Sequence, residues 1–135
     1  KLKEGKKSVL EGVPKSLPAL VKASRIQDKA KGVGFDWEEP EQVWEKVQEE
    51  LQEFKDEVEN GDAEKIESEF GDVLFSMINY ARFLNINPED ALERTNKKFI
   101  KRFTYLESKA GEMGKSLADM TLAEMDVFWN EAKKL

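Results

Sequence analysis

The 135-residue sequence contains neither cysteine nor histidine. Without thiols there are no disulfides and no thiolate nucleophiles, and without imidazoles there is no histidine base and almost none of the common zinc or di-iron ligand sets. Chemistry on this chain falls to carboxylates, lysine, arginine and hydroxyls. Helix breakers are also scarce, with four prolines and eight glycines, which suits long helices better than strands joined by many turns. No apolar run approaches the roughly 20 residues of a membrane span, and the lysine-rich start lacks the apolar stretch of a secretory signal. The expectation is a soluble, cytoplasmic protein with no membrane partner.

Charge is what the sequence has in plenty. Asp and Glu total 28 against 22 Lys and Arg, a net charge of −6, so the overall field repels nucleic acid and no duplex partner is expected. With 37% charged and 39% hydrophobic residues, the composition is that of amphipathic helices, and the length allows one domain with a core.

Residues 1–17 carry Gly5, Gly12 and Pro14 among lysines and little periodicity, which reads as a linker or N-terminal arm ahead of a domain over 18–135. The chain opens at Lys1 rather than Met, and the expectation is a piece of a longer protein. Apolar residues recurring at three- and four-residue steps predict a helix from about Leu17 to Lys31, broken by Gly32-Val33-Gly34. Pro40 suits the first turn of a second helix running to about Glu59, with Val43, Val47, Leu51, Phe54 and Val58 in one stripe. Asn60-Gly61-Asp62 is a turn, and Asp62 can cap a third helix reaching roughly Asn85. Asn87-Pro88 opens a fourth helix ending near Gly111, and Thr121 with Glu124 forms a capping box for a last one. Four or five helices without strands make an all-α helical bundle. The third helix is apolar nearly all round from Phe70 to Leu84, more than a few short neighbours can cover, so a homodimer is expected.

The acids are arranged about the turn. Glu50 and Glu53 are three apart, as are Glu69 and Asp72, so each pair projects from neighbouring turns of its helix. Glu53 and Glu69 each lie eight residues from Gly61, and Glu50 and Asp72 each lie eleven. In an antiparallel hairpin these distances become equal heights, about 12 Å and 16 Å along the axis. Glu50 borders the apolar stripe of its helix, while Glu69, Asp72, Ser76 and Asn79 form one polar strip on an otherwise apolar helix. Four facing carboxylates are costly unless compensated, and a cation is the natural compensation. All-oxygen ligands select Mg²⁺, with Mn²⁺ as a substitute. The alternative on these residues is a salt-bridged hairpin in which Lys46, Lys55 and Lys65 neutralise the acids.

Glu49-Glu50-Leu51-Gln52-Glu53 followed by Glu69-Phe70-Gly71-Asp72 resembles the Glu-Glu-x-x-Glu…Glu-x-x-Asp signature of the MazG family of nucleoside triphosphate pyrophosphohydrolases. Val33-Gly34-Phe35-Asp36-Trp37, the segment Asn96–Phe103 and the entry segment Val13–Pro18 look like parts of the C-terminal domain of two-domain MazG proteins. The resemblance implies an all-α dimer that hydrolyses an NTP or dNTP to the monophosphate and pyrophosphate as nucleotide-pool housecleaning. It implies metal ligation by Glu50, Glu53, Glu69 and Asp72, and Glu49 enters with the signature as a group behind the metal ligands or a base that orients water.

A triphosphate also needs cations. Lys98 and Arg102, four apart on the fourth helix, can reach one anion, and Lys46 lies one turn before Glu50. Trp37 and Trp129 are candidates for stacking on the base, with core packing as the alternative. A reading from a different class, a non-catalytic helical dimerisation or nucleotide-sensing module, accounts for the helices and the acidic surface but leaves the symmetric acids without a role.

Overall fold

The structure, a computed structural model, describes residues 8–135. The expected arm over residues 1–17 therefore lies partly outside the described residues. Among these, all regular structure is helical: α1 Ala19–Gly32, α2 Pro40–Asn60, α3 Ala63–Phe83, α4 Pro88–Glu112 and α5 Leu122–Ala132, with one 3₁₀ turn at Leu117–Asp119. None of these helices is long and apolar enough to cross a membrane. The expected all-α class is what the chain adopts.

The helix ends follow local chemistry. Pro18, extended at ψ 144°, is the N-cap of α1 and disfavours helical backbone at Leu17 before it, so that helix begins at Ala19 rather than Leu17. Pro40 takes the first turn of α2, where Gln42 Oε1 accepts from the Glu39 N–H at 3.0 Å. Gly61, at φ 79°, ends that helix, and one residue later Asp62 Oδ1 accepts from the Lys65 N–H at 3.2 Å to start α3. Three helices close with the same device, in which a left-handed residue lets the next N–H reach back to the helix. Gly34 does this for α1, Asn85 at φ 58° for α3 and Gly114 for α4, with Phe35 N–H bonded to Ala30 O, Ile86 N–H to Ala81 O and Lys115 N–H to Ala110 O. The left-handed Asn85 ends α3 at Phe83, earlier than the periodicity predicts.

The described chain divides between Glu89 and Asp90 into two compact units. In the first, α2 and α3 form the expected antiparallel hairpin and α1 packs on α3. Val43 and Val47 are fully buried, with Val73 and Ile78 nearly so. Phe54 meets Phe70 and Trp44 meets Tyr80 across the hairpin, at 5.5 and 5.2 Å between ring centroids. The predicted stripe on α2 is buried only in its first half. Leu51 and Val58, toward the turn, are exposed.

In the second unit Leu106, Ala110 and Met120 are buried together, with Phe103, Leu117, Met125 and Phe128 around them. The Thr121–Glu124 capping box forms as the sequence predicts, and Lys115 Nζ meets Glu124 at 3.0 Å.

Candidate functional site

Helix α2 carries Lys46, Glu49, Glu50 and Glu53, and α3 carries Glu69 and Asp72. The hairpin brings three of these acids together: one carboxylate oxygen from each of Glu50, Glu69 and Asp72 lies within 4.8 Å of the others. Glu53 is not in that group. Its side chain is exposed beside Glu50, whose negative charge is the largest influence raising the Glu53 carboxyl above the usual range.

Glu50 is buried, and its compensation is one-sided. One oxygen meets Lys46 Nζ at 3.0 Å, while Oε2 is buried without a hydrogen-bond partner, as is Oε2 of Glu69. Burial, then the charges of Asp72 and Glu50, pushes the Glu69 carboxyl up. Buried carboxylate oxygens without donors are costly, and two of them on acids that converge with a third are the pattern a cation relieves. The donor set, all carboxylate oxygen, fits a hard divalent ion.

The salt-bridged alternative is realised only at Lys46, which reaches Glu49 as well, at 3.6 Å. The Glu50 carboxylate is the main cause holding the Lys46 ammonium pKa above its usual value. Lys55 and Lys65 make no ion pair with these acids among the described residues.

A cavity of about 610 Å³ opens from the acids into the first unit, with Lys46 and Asp72 in its lining. Ile26, Gln27 and Ala30 of α1 form one side, Phe35, Asp36 and Trp37 of the following loop another, and Phe75, Ser76, Asn79 and Arg82 of α3 the floor. Gln27 is buried, and its Nε2 donates to the Phe75 carbonyl at 3.0 Å, which ties α1 to α3. Its Oε1 is buried without a partner. Trp37 thus stands in the lining, half exposed, as does Lys46.

The remaining predicted residues lie in the second unit. Trp129 packs on Phe99 at 5.1 Å between centroids, and Lys98 and Arg102 lie one turn apart on α4. Sequence reasoning missed the ion pair of Asp36 with Arg82, at 2.8 Å, and the buried Gln27. A signal existed for Arg82, a lone cation on the apolar second half of α3; none existed for its partner, 46 residues away.

With this geometry in view, the comparison of sequences is decisive: residues 38–106 match the MazG nucleotide pyrophosphohydrolase domain. The chain belongs to the MazG family. It is 45% identical over 117 residues to a Thermotoga maritima protein named nucleoside triphosphate pyrophosphohydrolase/pyrophosphatase MazG, a match covering 87% of this chain and 45% of that protein. A nucleoside triphosphate pyrophosphohydrolase of Escherichia coli K12 is 38% identical over 129 residues, or 94% of this chain and 49% of the relative. The uncharacterized protein YabN of Bacillus subtilis 168 is 53% identical over 128 residues, covering 94% of this chain and 26% of its own length. The chain thus spans about half the length, or less, of the curated relatives it matches. The matched MazG span holds α2, α3 and all the converging acids, while α1 and the loop that wall the cavity precede it.

Proposed function

We propose that this MazG-family chain hydrolyses nucleoside triphosphates in the presence of Mg²⁺, NTP + H₂O → NMP + pyrophosphate. One observation carries the reading: Glu50, Glu69 and Asp72 converge, two of them with buried oxygens that lack donors, at the edge of a cavity large enough for a nucleoside. The names of the relatives from T. maritima and E. coli support the same reaction.

Glu50, Glu69 and Asp72 would hold the ion, with Glu53 beside them as the fourth acid of the set. Mg²⁺ held there would supply Lewis-acid polarisation of phosphate oxygens and would offset the charge that builds as water attacks the α-phosphorus and pyrophosphate leaves. Lys46, relieved of part of its duty to Glu50, turns its ammonium to a phosphate oxygen. Glu49, exposed and one turn from Lys46's own backbone, orients the attacking water. Trp37 offers its indole to the base. Lys98 and Arg102, by their four-residue spacing, and Trp129, as a stacking surface, are proposed as further substrate-binding groups.

The chain is also proposed to be a homodimer, supported by the exposure of Phe70, Leu74 and Met77 along α3. The reaction is tested by incubating the chain with Mg²⁺ and each common NTP and dNTP in ¹⁸O-water. The expected products are pyrophosphate and a monophosphate that carries the label. Release of orthophosphate alone, or of nothing from any nucleotide, refutes the proposal.

A further inference from the structure

Arg82 sits in the last turn of α3 with its guanidinium held from two sides. Asn79, one turn earlier, accepts from Nε at 3.2 Å and from Nη2 at 2.6 Å. Across from it Asp36 accepts from Nη2 at 2.8 Å and from Nη1 at 3.1 Å, the two-pronged geometry in which an Arg–carboxylate pair is strongest. Both side chains of the pair are only 15% exposed.

The segment this pair grips is otherwise weakly held. Gly34, at φ 88°, closes α1 and reverses the chain, after which Phe35 stands 82% exposed and Trp37 46% exposed. The backbone bonds of Val33, Gly34 and Phe35 run back to α1 alone, and the Asp36 carboxylate also takes the Trp37 N–H at 2.9 Å. One side chain therefore both shapes the loop internally and fastens it to α3.

We propose that the Asp36–Arg82 pair is a latch holding Phe35-Asp36-Trp37 in place as one wall of the cavity, with Asp36, Arg82 and Asn79 acting as positioning residues for the nucleoside end of the substrate. The inference rests on the proposed NTP hydrolysis. The wall faces Ile26, Ala30 and Phe75, an apolar enclosure suited to a flat base and its sugar, whereas the converging acids lie on α2 and α3 and do not depend on the loop. Loss of the latch therefore weakens nucleoside binding more than the chemical step.

Asp36→Asn, Arg82→Gln and the double variant test it in the full chain. Each single variant should raise KM for the NTP by about tenfold with kcat within about threefold, as expected when uniform binding is lost. The double variant should be no worse than either single one, because both break the same link. Inhibition by pyrophosphate, which has no base, should be unchanged, while inhibition by the monophosphate weakens. If Arg82→Gln weakens pyrophosphate while Asp36→Asn does not, Arg82 contacts phosphate directly and the latch is wrong. A second readout needs no turnover: in a Trp44→Phe, Trp129→Phe background, where Trp37 is the only indole, acrylamide quenching should increase on either latch substitution and return part-way with Arg82→Lys. Unchanged quenching overturns the latch even if the chain proves inactive, and a chain with intact quenching behaviour but no pyrophosphate release overturns the proposed reaction instead.

Discussion

At the scale of single residues, the counter-charge to the converging acids is uneven. Lys46 lies 3.0 Å from Glu50 and 3.6 Å from Glu49, but Glu69 and Asp72 make no ion pair among the described residues, and Asp72's charge is one of the causes that raises the Glu69 carboxyl. Asp72→Asn is nearly isosteric and removes one charge from this group. Mg²⁺-dependent turnover should fall by at least about a hundredfold, the scale of loss expected when a catalytic ion loses a ligand. In EDTA the same variant should melt no lower than wild type, since repulsion is relieved, while the stabilisation gained on adding Mg²⁺ should shrink. A variant that melts lower in EDTA and keeps wild-type turnover removes Asp72 from the ligand set.

Asp36 provides a prediction with the opposite dependence on charge. The Arg82 hydrogen bond is the main cause holding its carboxyl below its ordinary value of 3.8, so the folded state binds this proton less readily than the unfolded chain. The stability it contributes is complete above 3.8 and is lost as pH falls through the lower folded value. The melting-temperature gap between wild type and Asp36→Asn should therefore be flat at neutral pH and close only in acid below 3.8. A gap that closes near neutrality shows that another group supplies it.

Among the elements, the α2–α3 hairpin is the one on which the acids depend, and its corner is made by Gly61 and Asp62. Asp62→Ala leaves the Lys65 N–H without its side-chain acceptor and should cost about 1 kcal/mol, measured by urea unfolding. A change near zero means that water replaces the cap at no cost. The corner was legible in Asn60-Gly61-Asp62, as were the starts of α2 and α5, because turn and capping preferences act within a few residues. The end of α3 was less so: Asn85 is left-handed by virtue of the turn that follows, and the apolar periodicity runs on past it.

For the molecule as a whole, the question is what covers the apolar surface of α3. Phe70, Leu74, Phe75 and Met77 each remain 44–49% exposed in the single chain. Surface of that kind along one helix is characteristic of an interface between copies. Light scattering should give a mass twice the 15.5 kDa of one chain, and Leu74→Glu should shift it toward one. A single-chain mass at about tens of micromolar, a concentration at which an interface of ordinary size holds together, removes the dimer.

What the sequence by itself determined is what depends on distance along the chain. Helix lengths, the hairpin turn, and the equal heights of Glu50 with Asp72 follow from 1.5 Å of rise per residue and a known corner. Tertiary structure decided which of the facing acids meet. Residues three apart on a helix differ by about 60° in direction, so the roll of α2 against α3 turns Glu50 into the group with Glu69 and Asp72 and leaves Glu53 at its exposed edge. Lys46 meets Glu50 because the two are four apart on α2, a spacing the sequence already shows, whereas only the packing brought Asp36 to Arg82. A salt bridge between separate elements carries no periodicity of its own; it forms where the two present their charges within reach, and only the packed chain sets that distance.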